Sequence, residues 1–539
     1  MHITRAHRPI IMGRRGGVAS NHPTASQVGL DILREGGSAA DAAVAVSLVL
    51  GVVEPHMSGL GGDGFYHHFD AGEGRARVYN GSGPSPGASA RHDFRASGMP
   101  LAGPLSASVP GALGALARLH HRHGILPWER LCAPAVEAAR AGVGVTFSFH
   151  RFSTNYQAKL GADAGSAAIF LRNGKPAPIG SFISQTALAD TLAMLASSGA
   201  ESFYRGELAR RLLADFEATG IPIAAEDLCG YEPQEQDPLA IRYRGFDVLQ
   251  TPPNSMGFTL LQELLIVEHF DLAGMGHLSA DAVHVMVEAK KLAFLDRERY
   301  ASDPRHQAVP LDRLLSFEHA RTLAAKIRMD RAADIPLKDI ARPAGTDTTY
   351  FCVIDAQGNA VSAIQSLNNA FGSGVTLPAT GIIMNNRMTC WHLQKGHANE
   401  MRPGKRVRHT MNAPMVLRDG KVWALFGTPG ADDQVQVNLQ MATGLIDFGR
   451  DPQSLAEAPR WSSDQVGQEA NWPHGGRHAL TLESSMPEAT IASLRARGHL
   501  VHEVAPLEGP CSVALLRALD EGGCAFGSDP RRDGWAAAY

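Results

Sequence analysis

The sequence has no strong charge of either sign, no long hydrophobic run and no paired cysteine motif, and each absence removes a class of function. Its 50 basic and 54 acidic residues are spread along 539 positions and leave a formal net charge of −4, so there is no electrostatic footprint for nucleic acid or an anionic membrane. Small molecules are the expected partners, with no nucleic acid and no membrane among them. The longest apolar run, Ala42 to Val53, falls short of the roughly 20 residues that a bilayer span needs. It reads as a buried helix with Asp41 as its N-cap. The six cysteines, Cys132, Cys229, Cys352, Cys390, Cys511 and Cys524, form no Cys-x-x-Cys pair and none of the spacings of a disulfide framework or zinc site, which suits a reduced, cytoplasmic protein. The basic N-terminus "MHITRAHRPIIMGRRGGVAS" lacks the continuous apolar core of a secretory signal. There is no His-Glu-x-x-His arrangement, so His67-His68 and His120-His121-Arg122-His123 read as exposed or core-edge histidines, and neither metal nor other cofactor is expected. "SGLGGDG" at 58–64 is not followed by the Lys-Ser/Thr of a phosphate cradle and reads as a loop of close backbone approach near a cleft.

What is present is an ordinary globular chain, 44% hydrophobic, with material for a large core. "NHPTASQVGLDILREGG" (21–37) carries Asn21 as a candidate N-cap, Pro23 in the first turn and a Gly-Gly stop, the signals of one complete helix. "SVPGALGALARLHHRHG" turns at Pro110-Gly111 into an amphipathic helix. In "DAVHVMVEAKKLAFLDRERYASDP" a long helix is predicted with Val283, Val287, Leu292 and Phe294 buried and its charged residues facing outward or capping loops. From about residue 345 the pattern changes: "TTYFCVID", "AVSAIQSL", "TGIIMNN", "APMVLRDG" and "VWALFGTPG" are β-rich segments separated by Gly, Asn or Asp turns.

The first two of these segments form a predicted hairpin preceded by Thr346, Thr348 and Thr349. With Gln357-Gly358 at the centre of the turn, Thr348 and Thr349 are placed opposite Leu367 and Ser366. A threonine hydroxyl attacks only when a base takes its proton, and one such base is the α-amino group of the same residue, freed by cutting the bond before it. Cleavage between Asp347 and Thr348 would supply that amine. Threonines are also good β formers at a strand end, so the hairpin by itself leaves both readings open.

The wider sequence resembles the γ-glutamyltranspeptidase family of self-processing N-terminal-nucleophile hydrolases over almost its whole length. The resemblance is carried by the block from Asn21 to Phe65, then "VPGALGA", "TPPNSMG", "VEAKKLAFLDRERYASDP", "DTTYFCVIDAQGNAVSAIQSLNNAFGSG", "GIIMNN", "FGTPGADDQ" and "SDPRRDGWA", in that order. It implies an α+β fold, a four-layer αββα sandwich. It implies a precursor cut into a large subunit, 1–347, and a small subunit, 348–539, that stay together as one heterodimer; a higher oligomer is compatible with this. The catalytic set it implies is Thr348 as nucleophile with Thr349 behind it, Ser366 as a second hydroxyl, and the backbone N–H groups of Gly430 and Ala431 as oxyanion donors. Asn368 falls on a substrate-binding asparagine.

The chain departs from the family where an amino-acid headgroup would be held. Asn80 stands in place of the arginine that grips the glutamyl α-carboxylate, and Cys390 or Thr389 in place of the aspartate that receives the α-ammonium. His409 and Thr410 replace two pocket serines, and the segment from Cys390 to Lys405 is shorter than the usual lid-bearing loop. The resemblance therefore implies an amidohydrolase or acyltransferase for a γ-glutamyl-like or small carboxylic-acid amide. Oxamate amidohydrolase and cephalosporin or glutaryl acylases are relatives of that kind, and Arg406, Arg408 and His409 are the nearest basic residues to meet a small acid. The reading from a different class is a catalytically silent binding protein, which would lack the nucleophile or the oxyanion turn.

Overall fold

The computed structural model describes residues 6–337, 348–468, 470–471 and 474–539. Among them are two seven-stranded sheets. One runs from edge to edge as Trp535–Ala538, Gly17–Ser20, Thr349–Ile354, Ala360–Ser366, Asp63–Asp70, Arg75–Gly81 and Gln234–Gln236. The other runs as Ile11–Gly13, Cys524–Ser528, Ala514–Ala518, Lys421–Gly427, Met415–Arg418, Phe246–Gln250 and Leu239–Tyr243. Each sheet takes strands from both sides of residue 348, so neither half of the chain has a complete sheet of its own.

Alternation along the strand Thr349–Ile354 shows why the sheets stack. Tyr350, Cys352 and Ile354 point into a core shared with Met415, Leu425, Leu516 and Phe526 of the second sheet. Phe351 and Val353 point the other way, into a core with the helices Pro23–Arg34, Ala39–Val53 and Ala112–His123. The outer face of the second sheet, with Val248, Val416, Ala424 and Phe426, is covered by the helices Gly257–Val267, Ala280–Tyr300 and Asp433–Ile446. These are the four layers of an αββα sandwich.

Local details differ from the sequence reading in instructive ways. Helix Pro23–Arg34 is capped by His22, whose side chain accepts from the Thr24 N–H, and Asn21 is released for another task. Helix Ala39–Val53 begins earlier than its apolar run because Ser38 is the N-cap, with Asp41 at the third position closing a capping box. In helix Ala280–Tyr300 the four predicted apolar residues are buried, but so are Glu288, Lys290, Lys291 and Arg297. The helix is sandwiched on more than one side, and its charges are satisfied internally; Lys291 Nζ donates to Glu288 Oε1 at 2.8 Å. "TGIIMNN" forms only isolated bridges and is held by side chains, chiefly Asn385, whose amide donates to the Gly61 and Ser108 carbonyls at 2.7 and 3.0 Å. His67 and His68 are fully inside the first sheet, and His68 stacks on His123 at 3.8 Å.

Candidate active site

The hairpin register decides what Thr348 meets. Thr349 pairs with Gln365 and Ile354 with Ala360, one residue away from the register a two-residue turn would give. The loop has three residues, Ala356, Gln357 and Gly358, with Gly358 at φ +87° and the Asp355 carboxylate accepting from the Gln357 and Asn359 N–H groups. The shift sets Thr348 against Ser366, and the Thr348 hydroxyl donates to Ser366 Oγ at 3.1 Å. Thr348 is 3% exposed. The preceding residues, including Thr346 and Asp347, lie outside the described part of the chain.

Thr349 is committed elsewhere. Its hydroxyl donates to the buried Glu54 carboxylate at 2.8 Å and receives the Asn21 amide at 3.4 Å. Asn21 in turn accepts from Ser512 Oγ at 2.8 Å, and the Ser512 carbonyl accepts from Thr428 at 3.3 Å. This relay ties the start of the central strand to the turn Thr428-Pro429-Gly430-Ala431.

That turn is shaped by backbone constraints. Gly430 has φ +122°, and a Cβ there would lie 2.2 Å from Cys511 Sγ. Ala431 occupies the left-handed region at φ +44°. The Gly430 and Ala431 carbonyls accept from the N–H groups of Asp433 and Gln434 at 2.8 and 3.1 Å, so the turn runs directly into helix Asp433–Ile446 and sits at the positive end of its dipole. Burial, reinforced by Asp464 and Asp432, pushes the Asp433 carboxyl up to about 8, which keeps that residue neutral at physiological pH.

From Ser366 a second set of contacts leads away from Thr348. Ser366 Oγ accepts from the Asn368 N–H at 2.7 Å, and Asn368 takes φ +85°, a conformation asparagine tolerates better than most residues. The Asn368 amide donates to Thr389 Oγ1 at 2.9 Å and to Asn471 Oδ1 at 3.0 Å, while its carbonyl accepts from Arg387 Nη1 at 2.9 Å and Cys390 Sγ at 3.3 Å. Burial raises the Cys390 thiol above its ordinary range, so it is a neutral donor. Arg387 Nε donates to Asp63 Oδ2 at 3.0 Å. Burial alone would push the Asp63 carboxyl up, but His409 and Arg387 outweigh it and hold it below its usual value. His409 Nε2 lies 3.3 Å from the same oxygen, yet burial, with Arg387 adding repulsion, lowers the ring to about 4, so it is neutral at pH 7.

The other residues singled out from the sequence have partners of their own. Asn80 is fully buried: its amide donates to Gln236 Oε1 and Asn254 Oδ1 at 3.0 Å each, and its carbonyl accepts from Ser82 Oγ at 2.7 Å. The Thr410 carbonyl accepts from the Asn412 amide at 3.0 Å. Arg408 donates to Glu298 at 2.8 Å, and Arg406 to the Ser82 and Glu232 carbonyls at 2.6 Å each, while Arg408 Nε and Nη2 and Arg406 Nε have no acceptor among the described residues. The glycine-rich loop does make its close approaches: a Cβ at Gly62 would lie 2.4 Å from the Ser366 carbonyl oxygen. Arg387, Asp63 and Asn471 were not singled out from the sequence. The arginine sat in plain view in "NNRMTC", but only the fold shows that it reaches Asn368.

Two groups of ligand-type side chains lie outside this region, His284 with Glu288 and His499, and Glu298 with His392 and His397. Their carboxylates are already neutralised, by Lys291 and by Arg408 respectively. All six cysteines are free thiols, and among the described residues no helix is long and apolar enough to cross a membrane.

Comparison with known proteins places this geometry in a lineage. Residues 25–539 match the family model described as gamma-glutamyltranspeptidase. The chain is 38% identical over 532 residues to the glutathione hydrolase-like YwrD proenzyme of Bacillus subtilis, covering 98% of this chain and 99% of that protein. It is 36% identical to the oxamate amidohydrolase proenzyme of Klebsiella pneumoniae, covering 97% of this chain and 98% of that protein. Its structure superimposes on the crystal structure of a cephalosporin acylase from Bacillus halodurans with a TM-score of 0.89 at 33% identity, covering 100% of this chain and 98% of that one. The chain is thus a divergent member of the γ-glutamyltranspeptidase family, an enzyme of its amidohydrolase and acyltransferase class.

Proposed function

We propose that Thr348 is the nucleophile of a self-processing amidohydrolase whose acyl pocket has been refitted away from the glutamyl headgroup. The observation that carries this reading is the 3.1 Å contact between the Thr348 hydroxyl and Ser366 Oγ at the start of a central strand. In the precursor the Thr348 hydroxyl attacks the carbonyl of residue 347, and resolution of the resulting ester by water leaves fragments 1–347 and 348–539. The freed α-amino group then serves as the base. It takes the hydroxyl proton as Oγ1 attacks a substrate amide, and returns it to the leaving amine. The N–H groups of Gly430 and Ala431 receive the developing oxyanion, aided by the helix dipole behind the turn and by a neutral Asp433. Water, or an amine acceptor, takes the acyl group from Thr348.

The pocket favours a small carboxylic-acid amide over a γ-glutamyl compound. Asn80 is neutral and its hydrogen bonds are saturated, and Cys390 is a neutral thiol, so neither ion pair to a glutamyl α-carbon is available. A reducing compartment such as the cytoplasm suits the six free thiols.

A denaturing gel tests the reading. Wild type is expected as two fragments and Thr348→Ala as a single uncut chain without amidase activity, while Thr349→Ala still cleaves. Normal cleavage in Thr348→Ala would refute the assignment. Turnover of a panel of γ-glutamyl, glutaryl, cephalosporin and oxamate amides then ranks the acyl group; preference for the γ-glutamyl compound would make the chain a glutathione-type hydrolase.

A further inference from the structure

The segment from Arg387 to His409 carries several buried basic residues, and their commitments differ. Arg406 and Arg408 hold the partners described above, although Arg406 Nε and Arg408 Nε and Nη2 have no acceptor among the described residues, and His409 is neutral. Arg387 differs in being bonded to Asn368, two residues beyond Ser366. It is 1% exposed, its Nε is held by Asp63, its Nη1 by Asn368, and its Nη2 has no hydrogen-bond partner among the described residues. Other arginines of the chain also carry a buried nitrogen without an acceptor, so it is the bond to Asn368 that singles out this one.

Its orientation is fixed from two sides. Asp63 lies opposite Ser366 across the strand pair, and its other carboxylate oxygen accepts from the Gly83 N–H at 2.7 Å, so it cannot follow Arg387 if that residue moves. Asn368, two residues beyond Ser366, holds the far end. Three contacts, of 3.1, 2.7 and 2.9 Å, therefore link the nucleophile's hydroxyl to the guanidinium through Ser366 and Asn368. The groups beside Asn368 are neutral: Thr389, Cys390 and Asn471. They offer polar contacts but no acid for an ammonium group.

Resting on the amidase reading above, we propose that Arg387 anchors a carboxylate on the acyl group, so that the substrates are amides of dicarboxylic acids lacking an α-amino group. The free carboxylate accepts from Nη2, the nitrogen left open by Asp63 and Asn368. Guanidinium is the natural partner for this group because its fixed, planar donors match carboxylate geometry. Asp63 is a positioning residue in this scheme: it aims Arg387 and does not touch substrate.

The test compares glutaryl anilide with butyryl anilide, which has the same chain length without the carboxylate. Wild type is expected to favour the glutaryl compound, and Arg387→Gln to reduce that preference in kcat/KM at least tenfold. Because Arg387→Gln strands the Asp63 carboxylate, Asp63→Asn/Arg387→Gln removes both charges together and should show the same collapse while remaining folded. Binding is read separately: glutarate, but not butyramide, should raise the Tm of wild type, and neither should do so in the double variant. Equal loss on both anilides, a wild-type preference for butyryl, or no stabilisation by glutarate would overturn the anchor. Absence of amide turnover with intact glutarate stabilisation would count against the amidase reading and leave the anchor standing.

Discussion

Replacing Gly430 by alanine probes the proposed oxyanion turn more sharply than removing a side chain could, because the groups assigned to it are backbone. The added Cβ would lie 2.2 Å from Cys511 Sγ. Ordinary contact for such atoms is about 3.5 Å or more, so the turn must move by roughly an ångström. Displacement of that size costs about 100-fold in rate, and loss of one oxyanion donor costs about 10²–10³ in kcat. Gly430→Ala is therefore expected to lower kcat by about 100–1000-fold, measured as anilide hydrolysis on whichever acyl group wild type turns over best. The φ of +122° adds backbone strain of about 1–3 kcal/mol, which should appear as a lower Tm. The two contributions separate in a Cys511→Ala background. There the sulfur is gone while the Cys511 Cβ, 3.7 Å from the new methyl group, stays at normal contact distance. About tenfold of the lost kcat should return, and the strain should not. If Gly430→Ala kept kcat within threefold of wild type while folded, the turn would not be the oxyanion site; if the double variant were no better than the single one, the clash would not be the cause.

Further outcomes follow from other parts of the site. Ser366→Ala removes the acceptor of both the Thr348 hydroxyl and the Asn368 N–H, so self-cleavage on a timed gel should slow by about 5–150-fold, the equivalent of about 1–3 kcal/mol; an unchanged rate would reduce Ser366 to a structural role. His409 binds its proton more weakly in the fold, at about 4, than in the unfolded chain near 6.5, so its contribution is fully present above about pH 6.5 and is lost as pH falls toward 4. That is about 3 kcal/mol at most, and calorimetry between pH 7 and 4.5 should show a shallower loss of Tm in His409→Gln; an identical slope would refute the assignment. Asn80→Arg places a guanidinium among polar groups that are already paired, and should lower the Tm without conferring γ-glutamyl turnover; a gain of that activity in an anilide assay would reopen the position as a headgroup clamp.

The sequence by itself determined the family, because ordered motifs are properties of the chain read in one direction, and the four-layer sandwich was what that resemblance implied. It also marked Thr348, since a threonine at the mouth of a hairpin beside a matching block needs no third dimension to be noticed. The register needed the structure: a three-residue loop with Gly358 in the left-handed region moves the pairing by one residue, and only that places Thr348 against Ser366 instead of Leu367. The burial of Lys290, Lys291 and Arg297 was equally illegible, because a charged residue on a helix reads as solvated until a neighbouring element covers it. The polar chemistry of the pocket was decided last of all. Arg406 and Arg408 looked available in the sequence, but the structure commits part of each guanidinium to residues far along the chain, Arg406 to Ser82 and Glu232 and Arg408 to Glu298. Arg387 drew no notice there, yet Asp63 and Asn368, 324 and 19 positions away, turn it toward the site. Which groups a side chain meets is set by tertiary contacts that no local pattern records.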